Sequence, residues 1–129
     1  MALVEIDDLL GHEALPSRFR DEVARFYDEA RRAGRYDFEA GRRLAAAARA
    51  VGLGVVHEGT VPDDELAFDG AAAPDVLEAW RERFRRIVGL KMFMRERFDD
   101  LVRILLDTLA SPNHRSSARV CCVVARRED

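Results

Sequence analysis

The chain has 129 residues, the size of one domain, and its 48% hydrophobic and 35% charged residues place it among ordered globular chains. A net charge of −3 excludes a general basic field for nucleic acid or an anionic membrane surface. No apolar run approaches the roughly 20 residues that span a bilayer, and the N-terminus lacks the basic, apolar and small-residue regions of a secretory signal, so a cytoplasmic protein is expected.

Residues 2–6, Ala-Leu-Val-Glu-Ile, read as a buried strand. With nothing before it to pair with or cover it, this strand leaves an open edge. Ala2, Leu3, Val4 and Ile6 are therefore the expected interface with a second chain or a second copy of this one. Pro16 and Ser17 open a helix whose apolar residues Phe19, Val23, Phe26, Tyr27 and Ala30 share one face. Gly34 stands where a left-handed cap is expected after Arg31 and Arg32. Asp37 is placed to cap a second helix reaching about Val51, with Leu44, Ala45, Ala48 and Val51 inward.

Gly52 ends that helix, and residues 53–59 read as a second strand, followed by an acidic loop from Thr60 to Gly70 that extends it. Pro74 and Asp75 lead into a third helix with Val76, Leu77, Trp80, Phe84 and Ile87 on one face, interrupted at Gly89. Leu90, Met92 and Phe93 form a short connector. Phe98, Leu101, Val102, Leu105, Leu106 and Leu109 then make the clearest amphipathic stripe, stopped at Ser111-Pro112. The last strand, 119–126, is apolar on both faces from Val120 to Ala125, so it is expected inside the sheet with helices above and below. The order of elements is that of an α/β domain spanning residues 1–129.

Four stretches resemble the C-terminal half of class I S-adenosylmethionine-dependent methyltransferases. They are Glu5-Ile6-Asp7-Asp8-Leu9 with Gly11-His12-Glu13, the run Gly34 to Arg42, the run Val61 to Phe68, and Ser111-Pro112-Asn113-His114-Arg115-Ser116 ahead of Val120 to Ala125. The resemblance implies a partial Rossmann-like half: a three-stranded mixed sheet (strands near 2–6, 53–59 and 119–126) covered by four to five helices. The last strand would lie antiparallel between the other two. The implied activity is methyl transfer to a small molecule.

The pattern departs from that family where the cofactor binds. Such enzymes hold it on an acidic, glycine-rich turn between a strand and a helix N-terminus. Here Gly52-Leu53-Gly54 precedes a strand instead. S-adenosylmethionine is therefore expected only in a complex completed by another chain, with no cofactor-binding residue in this one. The alternative is a non-catalytic homo-oligomeric or regulatory protein, and a mostly helical interaction module is a third option.

Ligands of open α/β sheets sit beyond the carboxyl ends of the strands. This makes the loop after the first strand the candidate site. His12 is the candidate base, and Asp7, Asp8, Glu13 and Tyr36 are candidates for holding substrate. The competing reading has Asp7 or Asp8 capping the turn, His12 on the surface, and Tyr36 packing. His12, His57 and His114 are isolated in sequence, without metal-ligand spacing. Cys121 and Cys122 point to opposite faces of a strand and read as reduced, buried thiols. The Arg31-Arg32, Arg42-Arg43 and Arg85-Arg86 pairs read as solvated faces. Trp80, Phe84, Met92, Phe93 and Met94 read as core, with a pocket lining or partner surface as the alternative.

Overall fold

The computed structural model describes residues 1–128. Three strands, β1 (Ala2–Asp7), β2 (Leu53–Val61) and β3 (Arg119–Arg127), form one sheet in the order β1-β3-β2. β3 pairs antiparallel with both neighbours, so the expected mixed sheet is purely antiparallel in its ladders. β1 and β2 run the same way but never touch, because β3 returns between them. The register with β2 slips between Val55 and His57, a bulge that twists this outer edge.

The helices are α1 (Ser17–Arg32), α2 (Leu44–Ala50), α3 (Pro74–Arg86), α4 (Val88–Met94) and α5 (Phe98–Ala110). Asp37 does not cap a continuous second helix. Its carboxylate accepts the Glu39 N–H, and a 3₁₀ turn over Gly41–Arg43 precedes α2. Val51, expected inward, is 74% exposed. Nor does Gly89 break the third helix. The break lies at Ile87, with φ −83° and ψ 68°, and Gly89 sits inside α4. Gly34 and Gly52 do take left-handed conformations, at φ +67° and +82°, and turn the chain out of α1 and α2.

Two cores divide the molecule. The larger joins α1, α3, α4 and α5 around Phe19, Phe26, Trp80, Leu90, Leu101, Leu105 and Leu109. The smaller lies between α2 and one face of the sheet, where Ala45 and Ala48 meet Val123 and Ala125. Small alanine side chains let this helix approach the strands closely.

Strand alternation decides what faces the other way. Val123 and Ala125 point at α2, so Val124 and Cys122 point away from it, opposite Ala2 and Val4 of β1. Val4 is 60% exposed there, and Cys122 and Val124 are only half-buried. The expectation of helices above and below β3 thus fails. β3 is interior because strands flank it on both sides, while the helical layer covers one face. β1 is likewise an edge strand and not a buried one.

Parity also fixes what the free edge of β1 presents. Met1 and Ala125 exchange both backbone hydrogen bonds, at 2.9 Å each. Residues directly opposite in an antiparallel pair alternate between bonded and non-bonded pairs, so Leu3, Glu5 and Asp7 also bond to β3. The N–H and C=O groups of Ala2, Val4 and Ile6 therefore point outward. The Glu5 carboxylate accepts the Ile6 N–H at 2.9 Å, and the Phe38 carbonyl accepts the Asp8 N–H at 2.8 Å. The open stretch of edge is thus Ala2 to Val4.

Candidate functional site

A cavity of about 310 Å³ opens beyond the carboxyl end of β1. Its walls are the loop from Asp8 to Leu15, the face of α1 carrying Arg20, Val23, Ala24 and Tyr27, the pair Glu39 and Arg42, and Ser117 just before β3. A larger groove, about 560 Å³, runs between α3 and α5 over Phe84, Phe98 and Leu106. Arg81, Arg85 and Arg103 on its rim pair with Glu78, Glu82 and Asp100 one turn away, the pattern of an ordinary solvated helix surface. The smaller cavity is the better site because buried polar groups converge on it.

Asp8 organises the loop. It takes φ +57°, a conformation that Asp tolerates better than most residues, and its carbonyl accepts the Gly11 N–H at 2.8 Å. Its carboxylate accepts the Tyr27 hydroxyl at 3.0 Å and the Ser117 hydroxyl at 3.1 Å. The Tyr27 oxygen in turn accepts the Leu10 N–H at 2.8 Å. Burial, and then the adjacent Asp8 charge, push the Tyr27 hydroxyl well above its ordinary pKa, so it stays a proton donor. Gly11 is required by space: a Cβ there would collide with the Asp8 carboxylate and the Ser117 hydroxyl.

Asp7 lies behind the cavity wall, 7% exposed. Its carboxylate accepts the Arg42 backbone N–H at 3.2 Å and grips the guanidinium through Nε at 2.9 Å and Nη2 at 3.0 Å. The remaining Nη1 of Arg42 meets Glu39 at 2.7 Å. The hydrogen bonds that Arg42 donates to Asp7 raise its pKa further. The Arg42-Arg43 pair is therefore not simply a solvated face. Arg42 ties the end of β1 to the turn before α2, and Arg43 clamps Asp37 at 2.8 Å.

His12 is buried, 3% exposed, and it is not isolated. Its Nδ1 lies 3.0 Å from Nε2 of His114, whose own Nδ1 lies 2.9 Å from the Gly70 carbonyl. A carbonyl only accepts, so the His114 proton sits on Nδ1. In the neutral pair His12 then donates from Nδ1, which leaves its Nε2 an acceptor. That Nε2 is buried and has no partner. Burial, with His114 alongside, lowers the His12 pKa from 6.5 to about 4. Between neutral and mildly acidic pH this ring is an uncharged base.

The structure thus brings Asp8, His12 and Glu13 to one cavity, keeps Asp7 just behind it, and places Tyr36 elsewhere. Tyr36 is exposed, donates to Glu5 at 2.9 Å, and is pushed up to about 12 by burial and by that carboxylate. Tyr27, Arg20, Glu39, Arg42, Ser117 and His114 were not foreseen. For Tyr27 there was a signal, since a tyrosine on a buried helix face needs a partner for its hydroxyl. Cys121 packs under Gly41 on the α2 side, with its thiol pushed up by burial, while Cys122 lies on the other face. Trp80, Phe84 and Met94 are core, whereas Met92 is 71% exposed. Among the described residues no cluster of His, Cys, Asp and Glu could hold a metal ion, and no helix is long and apolar enough to cross a membrane.

No family model, curated protein or solved structure matches the chain.

Proposed function

We propose that this chain is the acceptor-side half of a methyltransferase-like α/β enzyme, completed by a strand that adds to β1 from another chain. The observation that carries the reading is the open stretch Ala2–Val4. Its outward backbone groups are unmet, and Val4 belongs at once to this edge and to the uncovered sheet face. Unpaired strand edges are templates for another strand. The position of the cavity supports the same reading, because it lies at the carboxyl end of the strand that would become interior once the sheet is extended. The incoming chain would supply the turn that binds S-adenosylmethionine. The acceptor would lie against Asp8, Glu13 and Tyr27, with His12 as the uncharged base in the cavity wall.

A second reading, a non-catalytic homo-oligomer, draws on the same edge. Two copies related by an axis through Leu3 would place Ala2 opposite the neighbour's Val4 and form four backbone hydrogen bonds. No other outward donor is needed, and Ile6, whose N–H is already taken by Glu5, is left out.

Calorimetric titration with S-adenosylmethionine separates the two readings. The enzyme reading expects saturable heat from the assembly isolated from its own cells and none from the chain alone. Assemblies that stay silent, and that contain only this chain, would leave the homo-oligomer.

A further inference from the structure

We infer that the cavity beyond β1 binds a small organic ammonium ion with an apolar body. The inference rests on the acceptor-side reading for the role of the site, and names the chemistry of what the site takes. The cavity is rich in acceptors, and its free donors are those of Arg20, an exposed guanidinium at the rim. Asp8 receives protons from Tyr27 and Ser117, and a carboxylate with about four acceptor positions has room for more. Glu13 adds an exposed carboxylate at the rim. Arg42, the second cation of the wall, is held by Asp7 and Glu39. His12 lines the same cavity as a neutral ring whose second nitrogen has no partner.

Three carboxylates (Asp8, Glu13 and Glu39) and two guanidinium groups (Arg20 and Arg42) line the cavity, and Arg42 is further neutralised by Asp7 behind the wall. The deficit is of positive charge carried on N–H donors. A bare metal ion is the poorer match, because no metal-binding cluster exists among the described residues and the walls include Leu10, Leu15 and Val23. An ammonium group against Asp8, with a hydrocarbon or aromatic body against those side chains, satisfies both halves of the lining.

The test is titration of the chain with 2-phenylethylammonium, followed by amide chemical shifts, with 2-phenylethanol and 3-phenylpropionate as neutral and anionic isosteres. The ammonium ion is expected to saturate at millimolar concentration or below, the alcohol to bind about tenfold more weakly, and the anion not to saturate. Asp8→Asn should weaken the ammonium ion about tenfold and leave the alcohol unchanged. Glu13→Gln, at an exposed position that does not hold the fold, should weaken it about two- to threefold. Equal binding of the anion, indifference of the ammonium ion to both variants, or no saturation by it would overturn the inference. Neither a methyl donor nor a second chain is present in this titration. Its failure would therefore reject the ligand class and leave the strand-addition reading to its own tests.

Discussion

The burial of His12, with His114 alongside, sets an acid limit on the fold. The folded pKa of His12, about 4, lies below its ordinary value of 6.5, so the unfolded chain binds the extra proton between those pH values. The contribution is fully present above about pH 6.5 and is lost as pH falls towards 4, at about 1.4 kcal/mol per unit. Urea unfolding at pH 7.5 and 4.5 should show that His12→Gln loses about 2–3 kcal/mol less stability on acidification than the parent chain. Equal losses would mean that His12 does not titrate as a buried neutral base. Gly11 gives a second residue-scale test. Because a Cβ there meets the Asp8 carboxylate and Ser117, Gly11→Ala should cost about 1–3 kcal/mol and widen or collapse the cavity. Thermal unfolding together with loss of the Tyr27 hydroxyl proton signal would report both effects.

At the scale of elements, the helical core and the sheet respond differently to change. Leu105 on α5 is fully buried among aromatic and leucine side chains, so Leu105→Ala should cost about 2–5 kcal/mol in chemical denaturation. β3 tells its two faces apart by thiol chemistry. Cys122 on the uncovered face should react with a disulfide reagent several-fold faster than Cys121, whose pKa is raised under Gly41. Single-cysteine variants measure this, and equal rates would argue that something covers both faces. These elements were largely legible in the sequence, since Phe19 to Ala30 and Phe98 to Leu109 repeat on one helical face and Val120 to Ala125 is apolar throughout. The covering of β3 was not legible, because a run apolar on both sides looks the same whether helices or solvent lie beyond one face. The site was half legible. Asp8, His12 and Glu13 are contiguous with β1, whereas Tyr27, His114 and Arg42 arrive from 19, 102 and 35 positions away through contacts that only folding creates.

Over the whole molecule, the sheet has one uncovered face and one open edge, the two features on which the proposed strand addition rests. The β2 edge is guarded by its bulge and by the exposed His57 and Glu58, and the β1 edge is guarded only from Ile6 onward. Val4→Pro removes an outward donor without touching the β1–β3 ladder, so sedimentation should show association lost while the helical circular dichroism remains. If the complex forms unchanged, β1 is not the joint. The most direct measurement is hydrogen exchange at the Val4 amide. In the dilute isolated chain it should exchange freely while Leu3 and Glu5 are protected, and in the assembly it should become protected with them. A Val4 amide already slow in the monomer, or still fast in the assembly, would contradict completion through this strand.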